Sequence, residues 1–526
     1  MNRDNTIQRL RRETAPWDII IIGGGATGLG AAADAASRGY RTLLVEGRDF
    51  AQGTSSRSTK LVHGGVRYLR QGNVSLVMAA LRERGRLHAN APHLVRRLGF
   101  VIPAYHWRDK PFYGVGLKVY DRLAGKLGLG RSQTLSRKDT LERLPNLEAK
   151  GLRGGILYYD AQFDDARLAI NLARTADQHG AAVLNRAEVT GFIHENGRLS
   201  GVRVRDREAD DEFEIRGKGI VNAGGIFADT VRRLEDPRAE PMLVFSRGSH
   251  LVLPREFLPG EHALMVPKTD DGRVLFALPW RDRILVGTTD VPAPRVEREP
   301  APQGDELRFL LEHAAKYLRH DPVDSDVLSV FSGLRPLVSR GAGSGTAALS
   351  RDHTIAVSGT GLVTITGGKW TTYRQMAEDV IDRTETVAGF KHRPCVTAHL
   401  PLHGAPSGEA PDGPLAAYGA DAPSIEALGG ETPELAGKLH PELPIIKAEI
   451  VWAARHEMAR TVYDVLARRT RALVLNARAS IEAAPETARL LAAETGRDDA
   501  WQRTQVAAFR KIAANSLVES RLKTPS

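Results

Sequence analysis

A chain of 526 residues is longer than a single hydrophobic core supports, so two or three domains are expected. Its composition, 42% hydrophobic and 26% charged, is that of a globular protein, and no window approaches the eighteen or so consecutive apolar residues of a membrane-spanning helix. The formal net charge of +10 suggests attraction to something acidic without choosing among anionic lipid, nucleic acid and a phosphorylated substrate, and is equally consistent with a merely solvated basic surface; the single cysteine, Cys395, excludes an internal disulfide, fits a reducing compartment and lacks the clustered partners of a zinc site.

Residues 1–16 carry charge but no apolar stretch and read as a polar leader rather than a secretory signal, so export is not expected. The next segment, 17–48, reads as strand, glycine turn, helix and second strand. Ile19 to Ile22 is a continuous apolar run suited to a strand buried on both faces, and Gly23-x-Gly25-x-x-Gly28 follows without a spacer. Gly23 permits the tight turn, Gly25 lets backbone approach a pyrophosphate, and Gly28 lets the helix lie close to the strand. The helix N-terminus then offers free N–H groups to phosphate. Thr42 to Val45 forms the second strand and ends at Glu46, the acid expected to accept from a ribose hydroxyl. An acid there disfavours a 2′-phosphate, which leaves FAD or NAD.

Gly53 to Gly72 is rich in Gly, Ser and Arg and reads as a loop against the cofactor, with Thr54, Ser55 and Ser56 as donors near the pyrophosphate or ring. Ser75 to His93 is helical and basic, Gly99 to Tyr105 is a strand, and 106–160 mixes short helices with turns. A helix from Asp165 to Ala176, a strand from Ala181 to Leu184 and an Asn196-Gly197 hairpin follow. Gly219 to Gly225 is an apolar strand ending in a small-residue turn, so Ala223 and Gly224 are assigned to a second cofactor contact. Residues 241–295 hold several strands of a mainly antiparallel sheet. Glu306 to Leu318 is an amphipathic helix, and the segment from His353 supplies two strands, a glycine turn containing Gly368 and a helix. A Pro/Gly-rich stretch from Pro401 to Pro414 marks a linker, and helical periods fill the chain beyond Ile445.

In order and spacing, the fingerprint, SSRSTKLVHGGVRYL at 55–69, FSGLRPLV at 331–338, TGGKWTTYRQMAED at 366–379 and HEMARTVYDVLARRTR at 456–471 resemble the FAD-dependent, quinone-reducing glycerol-3-phosphate dehydrogenases. The resemblance covers nearly the whole chain. It implies an α/β fold: a discontinuous FAD-binding Rossmann-like domain of the glutathione-reductase type (16–105, 160–240 and 330–395), a β-sheet-rich substrate domain (106–159 and 241–329) and an α-helical C-terminal domain (415–526). It implies FAD as cofactor, and places Arg67, Tyr68, Arg335 and Lys369 at the substrate, with His63 in the same motif.

Residue chemistry agrees. A phosphate handle calls for cations, and guanidinium groups hold phosphate oxygens by paired donors. Oxidation of a secondary alcohol also needs a base, for which an imidazole suits better than an always-protonated arginine; His63 is therefore the expected base, with Arg335 and Lys369 beside it as catalytic residues. Other templates fail. His456-Glu457-Met458-Ala459-Arg460 has Arg where a second zinc ligand is required, and Gly367-Gly368-Lys369-Trp370 has Trp where a P-loop needs Ser or Thr, so no metal site is expected. The expected partners are glycerol 3-phosphate, a membrane quinone and an anionic lipid surface, on the inner face of the cell membrane, with oligomeric state left open. Arg455, Arg460, Arg468, Arg469 and Arg471 read either as a lipid-facing row or as a solvated face. Two rivals are a glycerol-phosphate oxidase using oxygen and a flavin-containing nucleic-acid-binding protein; the chain shows no recognisable nucleic-acid module.

Overall fold

The structure is a computed structural model that describes residues 1–65, 73–270, 272–339, 352–408 and 412–522. It is built on two sheets. The first is centred on β1 (Trp17–Ile22), which runs parallel to β2 (Thr42–Val45) on one side and β10 (Asp211–Asn222) on the other. Parallel strands β7 (Ala182–Leu184) and β18 (Leu362–Gly367) continue it outwards, and β17 (His353–Val357) closes one edge antiparallel. Strands β8 (Ala187–Glu195) and β9 (Arg198–Asp206) form an antiparallel ribbon on β10. Asn196 and Gly197 both take positive φ at its tip, 52° and 75°, which the twist of a two-residue hairpin favours.

The apolar run of β1 serves two cores at once. Ile19 and Ile21 pack with helices α2 (Ala26–Ser37), α5 (Asp165–Gln178) and α8 (Tyr373–Ala388), while Ile20 and Ile22 pack with the β8–β9–β10 ribbon, α6 (Ala228–Glu235) and α1 (Arg3–Arg12). Alternate residues of a strand point to opposite faces, so an all-apolar strand is what a doubly covered sheet requires. The stretch expected as a polar leader is instead α1: Asn2 caps it, Ile7 and Leu10 are buried, and Arg3 pairs with Asp206. Its two apolar residues, three apart, were too few to register as a helix stripe.

The second sheet runs β15 (Val291–Ala293), β11 (Leu243–Pro254), β14 (Arg283–Gly287), β13 (Leu275–Trp280), β12 (Ala263–Val266), β4 (Val95–Ala104), β6 (Gly154–Phe163) and β3 (Leu61–Val62). β16 (Ser329–Val338) adds to β11 over ten register pairs, and β5 (Gln133–Leu135) adds to β6. Domain boundaries drawn at 105 and 330 therefore cut across this sheet, because β3, β4 and β16 pair with its strands rather than with those around β1. One face packs on α7 (Gly304–Ala315); the other shares a core with the C-terminal helices α9 (Ala448–His456), α10 (Ala477–Thr495) and α11 (Asp499–Ala513).

Between 106 and 160 the chain forms a sixteen-residue helix, α4 (Asp109–Ala124), a short helix over Arg137–Arg143, the short strand β5 and most of the long strand β6, so the expected short helices and turns are present only in part. Pro111 sits in the first turn of α4, where its missing N–H costs no hydrogen bond. Helix α4 packs beside α3 (Val74–Asn90).

Candidate functional site

One cavity of about 590 Å³ lies between the two sheets, lined at one end by Gly23, Gly25 and Glu46 and at the other by His63, Arg335 and Lys369. That volume is typical of a ligand pocket. At the fingerprint end, β1 stops where Gly23 turns with φ of 114°, and an added Cβ there would meet the Ala223 carbonyl oxygen at 2.6 Å. Gly28 is closer still: its Cβ would lie 1.9 Å from the Gly23 oxygen, so the helix can rest on the turn only with glycine there. Gly25 is the N-cap of α2 and brings no side-chain cap of its own; Ser55 Oγ accepts from Ala26 N at 2.9 Å, and the positive end of the helix dipole still favours an anion there. Glu46 ends β2 with its carboxylate accepting from Gly24 N at 2.6 Å and Arg48 N at 2.7 Å. Burial, partly offset by the Gly24 N–H, pushes this carboxyl up to about 7, and each oxygen keeps a lone pair for a further donor.

A helix N-terminus facing the cavity, a carboxylate one strand away and the cavity joining them fit FAD. Gly23, Gly25, Glu46, Thr54, Ser55, Ala223, Gly224 and Gly368 all line this cavity. Ser56 does not. It is buried, and its backbone carbonyl accepts from Lys60 Nζ and Arg471 Nη2, each at 2.9 Å. Gly28 likewise acts in packing.

The middle motifs, far apart in sequence, meet at this cavity. Thr54 Oγ1 donates to Leu334 O at 2.6 Å, Arg57 to Ser332 O at 3.3 Å, Trp370 Nε1 to Ser55 O at 2.8 Å, and His63 N to Thr371 Oγ1 at 3.3 Å. These bonds lash the loop after the fingerprint to β16 and to the turn after β18. Arg67 and Tyr68 lie outside the described residues. Arg335 is held by the Thr289 carbonyl at 3.3 Å, Thr288 Oγ1 at 3.2 Å and Asp290 at 3.3 Å. The described lining carries Arg48, Arg57, Arg273, Arg298, Arg335 and Lys369 against Glu46, Asp160, Glu188 and Asp290, an excess of positive charge suited to phosphate.

Sequence reasoning missed two residues here. Arg57 is half-buried beside Glu299 and Tyr463; the Arg in SSRS was quoted in a motif without a role. His250 lies on β11 with its ring stacked on Phe331 at 4.7 Å, and burial, reinforced by the charges of Lys60 and Arg335, holds it well below the usual imidazole range. An isolated His in a strand gave no signal; only the sheet register brings it to the cavity.

Of the C-terminal arginines, Arg468, Arg469 and Arg471 form neither a lipid-facing row nor a solvated face, whereas Arg455 is exposed. Arg468 and Arg469 both reach Asp49, Arg471 reaches Asp165 at 3.1 Å, and all three are at most 1% exposed. Arg460 pairs with Glu208 and Arg455 with Glu494. The helix expected through this stretch breaks after α9, with positive φ at Met458 and Arg471, because Glu457 turns inward to bind Arg167 through both oxygens at 2.7 and 2.8 Å. Outside the cavity, Asp382, Glu385 and His392 lie close enough to share a cation, but Arg38 already meets both carboxylates.

Residues 18–374 match the family model of FAD dependent oxidoreductases, and residues 360–502 match that of the C-terminal domain of alpha-glycerophosphate oxidase. The chain is 39% identical to the mitochondrial glycerol-3-phosphate dehydrogenase of Homo sapiens, over 95% of this chain and 74% of that protein. It is 40% identical to the mitochondrial glycerol-3-phosphate dehydrogenase of Arabidopsis thaliana, over 93% of this chain and 85% of that protein. Among solved structures it is similar to the glycerol-3-phosphate dehydrogenase from Bacillus halodurans complexed with FAD, with a TM-score of 0.79 and 28% identity, covering 99% of this chain and 98% of that one.

Proposed function

This chain belongs to the family of FAD-dependent glycerol-3-phosphate dehydrogenases, and from that premise we propose that it oxidises sn-glycerol 3-phosphate to dihydroxyacetone phosphate and passes the two electrons to a membrane quinone. The observation that carries the reading is the single cavity that joins the dinucleotide fingerprint to the Arg335, Lys369 and His63 cluster. When bound, FAD supplies a two-electron acceptor for the hydrogen on the alcohol carbon. The chain's own residues do the rest. Arg335, held from behind by Asp290 and the Thr289 carbonyl, and Lys369 neutralise the phosphate end and fix the alcohol carbon in place. His63, tied through its backbone to Thr371, takes the hydroxyl proton.

An absorption spectrum recorded anaerobically before and after adding glycerol 3-phosphate tests the substrate: bleaching of the oxidised flavin supports it, and an unchanged spectrum overturns it. His63→Gln is expected to slow that bleaching by about 10²–10⁴-fold, the usual range for a lost general base. Arg335→Ala is expected to harm the reaction of glycerol 3-phosphate more than that of plain glycerol, which has no phosphate to lose. Quinone-dependent turnover with little oxygen uptake distinguishes the proposed acceptor from the oxidase reading.

The membrane side of the proposal is supported by α4. Among the described residues no helix is long and apolar enough to cross a membrane. Helix α4 instead turns an apolar row outward: Trp107 just before it is 69% exposed, Phe112 60% and Val115 66%, with Val119 one turn further and Met78 of α3 alongside. Arg108, Lys118, Arg122 and Arg131 are exposed around that row. An apolar stripe rimmed by cations matches an anionic bilayer surface, with the side chains in the acyl boundary and the cations at the headgroups. Attachment to the inner leaflet by this face predicts co-sedimentation with anionic vesicles that a Trp107→Ser, Phe112→Ser pair abolishes without loss of FAD. Equal binding of the pair would refute this face.

A further inference from the structure

Side chains two apart on a strand share a face, so β11 presents Ser246, Gly248 and His250 together. A Cβ at Gly248 would meet Arg335 Nη2 at 2.3 Å and Thr288 Oγ1 at 2.8 Å. His250 therefore belongs to the Arg335 end of the cavity, not to the fingerprint end. Three neighbours hold its ring. Across the ladder it lies between Gly287 and Phe331; it stacks on Phe331 with an interplanar angle of 12°, and its Cδ2 edge fills the space beside Gly287, 2.1 Å from where a Cβ would stand. The third is Thr59, whose Oγ1 lies 2.9 Å from Nε2. The residue is 2% exposed, and Nδ1 has no partner among the described residues.

These contacts set the direction of the Thr59–His250 bond. A buried N–H goes unpaired more rarely than a buried acceptor, so Nδ1 is the bare nitrogen and Nε2 carries the hydrogen. Nε2–H then donates to Thr59 Oγ1. The hydrogen of the Thr59 hydroxyl is left without a protein acceptor among the described residues and is available to the cavity that Thr59 lines. The charged groups nearest the ring are Lys60 and Arg335, both cations that disfavour its protonation. Asp165, behind Lys60 at 2.7 Å, is also engaged by Arg471.

We propose that Thr59 contacts the substrate, donating its hydroxyl hydrogen to an oxygen of bound glycerol 3-phosphate, and that His250 is the positioning residue that aims it. The inference rests on glycerol 3-phosphate being the substrate. Anaerobic flavin reduction by the FAD-loaded full chain, followed against glycerol 3-phosphate concentration and pH, tests it. Thr59→Val is expected to lower the ratio of reduction rate to half-saturating concentration by about 10- to 100-fold, the range for a lost hydrogen bond to a polarised oxygen. Thr59→Ser restores the donor and is expected to stay within about threefold of the parent, and His250→Gln, which keeps an N–H near the Nε2 position, within about fivefold and with the parental pH profile. FAD content and melting temperature are measured on each variant. Parental kinetics in Thr59→Val overturn the proposal, as does a Thr59→Ser as damaged as the valine. Loss of FAD from Thr59→Val would place the hydroxyl on the cofactor and also overturn it. A His250→Gln defect beyond 100-fold with an altered pH profile would make His250 a proton acceptor and reverse the assigned direction. A parent protein that glycerol 3-phosphate fails to bleach overturns the substrate reading itself, an outcome separate from any variant result.

Discussion

Replacing Asp49 by alanine removes the acceptor on which the C-terminal unit is pinned to the fingerprint unit. The Asp49 carboxylate accepts from Arg468 Nε at 2.6 Å, from Arg469 Nη1 and Nη2 at 2.8 Å each, and from Asn185 Nδ2 at 3.2 Å. All three charged residues are at most 1% exposed. Removing one partner of a buried ion pair costs about 3–5 kcal/mol, because the charge left behind is neither solvated nor matched. Two stranded guanidiniums would push towards the top of that range. Arg468, however, keeps Asp464 at 2.7 Å, and Arg469 keeps the Glu457 carbonyl at 2.8 Å, so about 3–4 kcal/mol is expected. With a urea dependence of about 3 kcal/mol per M, the unfolding midpoint should fall by about 1 M. Tryptophan fluorescence in a urea series measures it, and limited proteolysis in native buffer should cut the variant first between residues 457 and 476. The two arginines hold Asp49 well below the usual carboxylate range, more than offsetting its burial. A lowered carboxylate contributes stability above its unfolded value of about 4 and loses it as pH falls through the folded value, so the parent's advantage over the variant should be full at neutral pH and shrink in acid. An unchanged midpoint at pH 7, or a difference that does not shrink below pH 4, would refute the reasoning.

Glu46 gives the opposite sign. Its carboxyl, pushed up to about 7, contributes stability to the free chain below its ordinary value of about 4.5, and that contribution is lost as pH rises through 7; FAD needs the ionised acceptor, so fluorescence titrations should show FAD affinity falling as pH drops from 8 to 6, with Glu46→Gln weaker and nearly flat. Gly25→Val should lose FAD while far-ultraviolet circular dichroism stays parental, because its Cβ would already lie 3.2 Å from Ser55 Oγ where backbone must meet the pyrophosphate. Gly287→Ala should keep FAD yet slow flavin reduction by about tenfold or more, since the His250 ring must leave its place; an alanine variant with parental kinetics would contradict the packing.

The parts of the fold that sequence made legible were those whose signal is local. Ile19 to Ile22 declared a strand covered on both sides, the glycines after it declared their separate jobs, and Asn196-Gly197 declared its hairpin. The length of helix α4 was not legible because its apolar residues split between an outward row, Phe112, Val115 and Val119, and an inward pair, Leu117 and Tyr120, and because its Pro and Gly residues imitate turns. Residue types that bear charge were legible as a set and not by address. Arg335 and Lys369 stood out through their motifs and do line the cavity, whereas Arg468, Arg469 and Arg471 were indistinguishable from surface charge until the tertiary structure placed Asp49 and Asp165 opposite them. His250 depends wholly on register: nothing in HLVLP tells that Gly287 and Phe331 will flank it. Local propensity cannot report a neighbour that is set by pairing strands distant in sequence.

The order of strands around β1 has a consequence for synthesis. Its partner β10 emerges only after residue 211, and β18, which completes the parallel array, only after residue 362. At about 5–20 residues per second, the ribosome releases β18 some tens of seconds after β1. Until β10 emerges, the β1–β2 pair carries an open edge of unsatisfied amide and carbonyl groups along the apolar run Ile19 to Ile22, and from then until β18 emerges the open edge passes to β10; either edge is a template for mispairing with another nascent chain. The protein should therefore depend on holding chaperones during translation more heavily than a chain of equal length whose sheet closes in sequence order.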